Sequence, residues 1–114
     1  MSYLIIINDP PYGTERLFNG LRLAHTLINK EHKVTVFLMA DAVSGAKSGQ
    51  KTPDGYYNVE RMLKRVFTKG DVLLCGTCMD ARGLTDDEVL KGAKRSTMDE
   101  LADLTISSDK VLIF

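Results

Sequence analysis

Asp71-Val72-Leu73-Leu74-Cys75-Gly76-Thr77-Cys78 is the stretch on which the fold turns. Its first five residues read as a strand with a continuous apolar run through Val72, Leu73 and Leu74, the pattern of burial on both faces. Leu-Ile-Ile-Ile at residues 4–7 and Val-Thr-Val-Phe-Leu-Met at 34–39 read the same way. Between the first two runs, Leu17, Leu21, Ala24 and Ile28 recur at helical spacing, and Phe18 and Leu27 widen the stripe. Between the second and third, Val59, Met62, Leu63, Val66 and Phe67 do likewise. Residues 110–114 form a last apolar strand. Strands buried on both faces and separated by helices imply an α/β domain with a mainly parallel sheet and right-handed crossovers.

Local signals set the expected boundaries. Asn8-Asp9-Pro10-Pro11-Tyr12-Gly13 is a turn cluster, and Thr14 is the expected cap of the first helix. Residues 44–57 are polar and glycine-rich, the longest irregular stretch of the chain. Asn58 is placed to cap the second helix and Gly70 to end it. Residues 75–83 read as a loop. Thr85-Asp86-Asp87-Glu88 has capping-box spacing, with Leu84 and Val89 as a hydrophobic staple, which predicts a short helix to about Gly92. Residues 93–95 read as a stub of strand. Ser96 or Thr97 caps a last helix carrying Met98, Leu101, Ala102 and Ile106.

At 114 residues the chain makes one domain, and 44% hydrophobic with 26% charged residues is an ordinary globular composition. Fifteen basic residues balance fifteen acidic ones, so there is no general attraction to nucleic acid or anionic membranes. The lack of net charge also removes self-repulsion and favours self-association. No apolar run is long enough to span a bilayer, and the first residues lack the basic start and small-residue cleavage site of a signal peptide. Two cysteines are too few for a disulfide scaffold, and a cytoplasmic location is expected.

In an open parallel sheet, ligands gather outside the carboxyl ends of the strands. Residues 8–13, 40–43 and 75–82 meet that edge. Cys75 is either a small buried hydrophobe closing a strand or a reactive thiol. Arg82 and the amides opening the helix at Thr85 are the nearby sources of positive potential, and they would lower the pKa of Cys75. Gly76 would let the backbone turn away and leave the sulfur approachable. The Cys-x-x-Cys spacing admits dithiol exchange, half of a zinc site, or a sulfur carrier. The first usually needs the pair to open a long helix after the first strand of its unit, and here it reads as loop. For the second, His25 and His32 lie too far off, so no metal site is expected. His25 sits near the apolar stripe and reads as packing. Asn8, Tyr12, Asp41 and Lys51 are secondary binding candidates, with Lys47 beside Lys51 as an anion attractor; turn chemistry for Asn8 and Asp41 and ordinary surface exposure for the lysines are the competing readings, favoured for Asp41 and the lysines. No phosphate cradle is present: residues 8–14 carry two prolines where free N–H groups would be needed. An organic cofactor is therefore not expected.

Leu74-Cys75-Gly-Thr-Cys78-Met-Asp-Ala-Arg82-Gly83 resembles the cysteine loop of the DsrE/DsrF-like sulfur-relay family. Asn8-Asp-Pro-Pro-Tyr12-Gly13 through Arg22, Phe37-Leu-Met-Ala-Asp41-Ala-Val43, Gly49-Gln50-Lys51, Gly55-Tyr-Tyr-Asn58 and Ser108-Asp109-Lys110-Val111-Leu112 are similar to its YchN-like branch, so the resemblance spans nearly the whole chain. It implies a three-layer flavodoxin-like α/β sandwich with a sheet of about five strands. It further implies homo-oligomers built on trimers, often hexamers, and sulfur carried as a cysteine persulfide between donor and acceptor proteins. By position Cys75 matches the family's sulfur-accepting nucleophile, and Cys78 a second cysteine found in part of the family, here the candidate resolving thiol. Arg82 is the candidate stabiliser of the thiolate. The alternative is an oligomeric small-ligand-binding or scaffold protein that retains a non-catalytic cysteine pair. Sedimentation at micromolar concentration should give the mass of three or six chains; a monomer throughout a dilution series would contradict the expected assembly.

Overall fold

The computed structural model describes residues 1–114, and each apolar run becomes a strand. In chain order the elements are β1 (Ser2–Ile7), α1 (Arg16–Asn29), β2 (Lys33–Leu38), α2 (Val59–Phe67), β3 (Asp71–Cys75), α3 (Gly76–Ala81), β4 (Ala93–Ser96), α4 (Met98–Ser107) and β5 (Lys110–Ile113). Turns of 3-10 helix occupy Ala40–Ala46 and Asp86–Glu88. The five strands form one sheet in the order β4-β3-β2-β1-β5. Every neighbouring pair is parallel.

The register aligns Ile5 with Val36 and Val72, and Ile7 with Leu38 and Leu74. These six side chains are at most 1% exposed. Helix α1 lies against this face. A Cβ on its Gly20 would come within 2.9 Å of Ile7 Cδ1, so glycine is what lets helix and strand approach. Right-handed crossovers carry the chain from β1 to β2 and on to β3 in one direction, which puts α1 and α2 on the same face. From β4 the chain returns across the sheet to β5, so α4 covers the opposite face. Three layers result. The row on the α4 side contains Ile6, Leu73 and Cys75 at 7–8% exposure, so this cover is thinner.

Several boundaries differ from the sequence expectation. Glu15, not Thr14, is the N-cap of α1; the Thr14 hydroxyl instead donates to Asp9 at 2.7 Å and accepts from the Arg16 amide at 3.3 Å. Residues 44–57 are less irregular than their composition suggests, because the 3-10 turn reaches Ala46 and Lys47 bridges to Val89. The helix expected up to Gly92 shrinks to Asp86–Glu88, although its Thr85–Glu88 capping box forms. Tertiary contacts pull the chain straight there. The Leu90 amide bonds to the Ala46 carbonyl at 2.9 Å, and Gly92 packs so closely on Phe67 that a Cβ would lie 2.5 Å from the ring. The caps at Asn58 and Thr97 form as expected, each side chain accepting a backbone N–H of its helix's first turn.

Leu74 is fully buried one residue before Cys75. Leu74→Ala should therefore cost about 2–5 kcal/mol in chemical denaturation, through lost burial and the cavity left behind. A change under about 1 kcal/mol would mean that the sheet end repacks freely.

Candidate functional site

The segment after β3 is where the structure departs most usefully from the sequence reading. Residues 76–81 are not loop but the short helix α3, and Cys75 is its N-cap with ψ 113°. Caps are favoured where a side-chain acceptor reaches a free amide of the first turn. The Cys75 sulfur fills that role, accepting the Cys78 backbone N–H at 3.3 Å. Gly76 does not turn the chain aside as expected. It permits a close approach: a Cβ there would meet Arg95 Cγ, Arg95 Nη1 and the Ser96 carbonyl, each at 3.1 Å. Cys75 is buried at 7% exposure, whereas Cys78 is partly exposed and packs against the core margin.

Two arginines hold α3 in place. Arg82 donates from Nε to Asp41 at 2.9 Å and from Nη1 to the Cys78 carbonyl at 3.1 Å. The carboxyl end of β2 and the cysteine helix are thereby joined, as the expected edge requires. Arg95, on the edge strand β4, reaches over from the other side. Its Nη1 donates to the Gly76 carbonyl at 3.2 Å and to Asp80 at 3.1 Å, and its Nε to Asp86 at 2.9 Å. Sequence reading missed Arg95 because the short strand that carries it has little apolar signature, and its partners lie 9–19 residues away.

The other candidates belong to different networks. The Asn8 amide and Nδ2 both bond to the Phe114 carbonyl, at 2.9 and 3.4 Å, tying β1 to the end of the chain. Tyr12 adopts a left-handed φ of 65°, donates from its hydroxyl to Gln50 at 2.5 Å and accepts the Val59 amide at 3.0 Å. It thus pins the long connection to the start of α2. Lys51 is exposed on that connection, and Lys47 lies 3.9 Å from Glu88. His25 holds the Met62 carbonyl at 2.8 Å, as a packing residue would. No group of three or more His, Cys, Asp or Glu side chains is placed to hold a metal ion. The three surface hollows of the molecule lie elsewhere, and neither cysteine lines any of them.

The expected depression of the Cys75 pKa is overturned. Burial is the largest influence and pushes the thiol up, and hydrogen bonding with the Cys78 side chain adds to it. The amides of Cys78 and Thr77 pull the other way without prevailing. Arg82, engaged by Asp41 and the Cys78 carbonyl, acts on the backbone of Cys78 and not on the Cys75 sulfur. Because the folded state holds this proton more tightly than an unfolded chain would, its contribution to stability is complete below the ordinary thiol range near about 8.5. It is lost as pH rises through the higher folded value. In a Cys78→Ser chain, where one thiol reports, burial remains, so alkylation of Cys75 should reach half its maximal rate above about pH 8.5. A midpoint below about pH 7.5 would show that the local amides outweigh burial.

Comparison with known proteins agrees with this layout. The DsrE/DsrF-like family model matches residues 1–114. Protein YchN of Escherichia coli (strain K12) is 43% identical over 114 residues, covering 97% of each chain. The crystal structure of YchN from E. coli superposes with a TM-score of 0.95 at 42% identity, over 100% of this chain and 99% of that one. Sulfurtransferase TusD of Salmonella typhi is more distant, 26% identical over 128 residues and covering 100% of both chains. On a match over its full length, the chain belongs to the DsrE/DsrF-like family.

Proposed function

We propose that this protein is a sulfur-relay carrier that holds a sulfur atom as a persulfide on Cys75 and passes it between partner proteins. The observation that carries the reading is the setting of Cys75. It closes a central strand at the carboxyl edge, heads a clamped helix, and accepts an amide N–H at its sulfur. A sulfurtransferase among the relatives supports the same chemistry.

The surroundings suit a carrier better than a small-molecule enzyme. No hollow encloses the cysteines, so a substrate would be delivered on another protein's sulfur. Burial favours the neutral thiol of Cys75, which protects it from stray electrophiles. Once sulfur is bound, the Cys78 amide remains as a donor to the sulfur it leaves behind. Arg82 acts here as a positioning residue, since its bonds fix the Cys78 carbonyl against Asp41.

A trimer or hexamer is part of the proposal. Ile106 and Met98 on α4 and Ile113 on the edge strand β5 are 84%, 63% and 70% exposed, supplying apolar surface for association. No helix is long and apolar enough to cross a membrane, and we place the carrier in the cytoplasm. The burial of Cys75 also favours a second reading, a scaffold with an inert cysteine pair. Intact-mass analysis of protein exposed anaerobically to a sulfane-sulfur donor separates the two. The carrier should gain one reductant-labile sulfur atom, and Cys75→Ser should abolish the gain. Equal gain by Cys75→Ser would overturn the assignment to Cys75, and no gain by the native chain and its Cys78→Ser variant alike would leave the scaffold reading.

A further inference from the structure

The chain has two cysteines, Cys75 as the N-cap of α3 and Cys78 in its first turn. An N-cap side chain reaches back over the first turn, which brings it toward the residue three positions on. A disulfide spans a Cβ separation of about 3.5–4.5 Å, so closing one here takes a small backbone shift at the head of α3. The structure adds direct proximity. The Cys75 sulfur rests on the Cys78 amide at 3.3 Å. The two arginines hold the backbone carbonyls of Gly76 and Cys78, so the pair is fixed in this relation. The pair does not lie in a loop but at the head of the six-residue helix α3.

We infer that Cys78 is an internal discharge thiol: it attacks a persulfide on Cys75, closes a Cys75–Cys78 disulfide and releases hydrosulfide. The inference rests on the carrier reading and names how its loaded state is limited. In a persulfide, Cys75 Sγ is the inner sulfur and the added atom is the outer one. Cys75 is 7% exposed, so the inner sulfur is largely shielded from solvent and from other chains. An acceptor protein reaches the outer sulfur, and attack there is transfer. Cys78 is the one thiol of this chain beside the inner sulfur, and attack there is discharge.

The step balances without an external oxidant. Cys78 gives up its proton to solvent, and its sulfur electron pair forms the bond to Cys75 Sγ. The bond between Cys75 Sγ and the outer sulfur breaks, and the outer sulfur leaves with the electron pair as hydrosulfide. The sulfane sulfur is reduced by two electrons and the cysteine pair is oxidised by two. A thiol reductant, taking over the disulfide by exchange, restores the dithiol for another load. Delivery to a partner and release as sulfide are then competing fates of one loaded state, with docking of the acceptor deciding between them.

The test uses the full chain, reduced and anaerobic, loaded with a stoichiometric amount of inorganic polysulfide, freed of excess, and followed by intact mass and free-sulfide assay. Cys78→Ser should keep its added sulfur. The native chain should lose it about tenfold faster or more, as expected for a preorganised intramolecular attack. It should end two hydrogens lighter than the dithiol, with one equivalent of sulfide released. Native protein that keeps its sulfur as long as Cys78→Ser would overturn the inference and leave the carrier reading standing. Failure of Cys78→Ser, and of Cys78→Ala, to take up sulfur would remove the carrier reading and the inference with it. An independent arm treats unloaded native protein with diamide. Closure within one chain is expected, and linkage between chains instead would overturn the inference by showing that the two sulfurs do not meet.

Discussion

The structure depends on the burial of parallel strands on both faces. A parallel strand pair cannot be joined by a tight turn, so every crossover must travel over a face of the sheet and cover it. In this chain the result is a central face of Ile5, Ile7, Val36, Leu38, Val72 and Leu74 with almost no exposure. Because all five strands point the same way, every strand ends at a common edge. Cys75 owes its position to that arrangement. Leu73 and Leu74 anchor the strand by packing on its two faces, and the next residue has a set point of emergence.

What happens beyond that point is governed by hydrogen bonding and charge. A strand that leaves a sheet carries unpaired backbone groups, and a helix beginning there leaves amides unsatisfied. The sulfur of Cys75 answers one amide, while Arg82 and Arg95 answer the carbonyls of Cys78 and Gly76. The arginines are in turn neutralised by Asp41, Asp80 and Asp86. Little positive potential is left over for the thiol. This explains why a sequence with an arginine near its cysteine yields a thiol held neutral by burial instead of a free thiolate.

The same accounting applies at the point where the strand order reverses. The chain steps from β1 through β4 in one direction, and β5 joins on the far side of β1. Open α/β sheets commonly bind ligands at such a reversal. Here the two bonds from Asn8 to the Phe114 carbonyl tie the ends of β1 and β5 together, and Tyr12 is drawn away toward Gln50 and α2. The cysteine edge, two strands away, carries the chemistry-bearing groups instead.

The fold class was legible because burial on both faces leaves an unmistakable local mark: runs such as residues 4–7 and 71–75 with no polar alternation, separated by stripes at helical spacing. The caps at Asn58 and Thr97 and the prominence of Cys75 were legible for the same reason, since each depends on neighbours within a few residues. The helical state of residues 76–81, the loss of the helix after Glu88 and the grip of Arg95 were not. Each is decided by groups distant in sequence: β4 against Gly76, Ala46 against Leu90, Phe67 against Gly92. The chain by itself determined the strands, their burial and the residue that ends the third. Only the tertiary structure decided how the two cysteines sit at the head of α3 and which charges reach them, because side chains far apart in sequence compete for the same few polar partners, and the winner is set by where the folded backbone brings them.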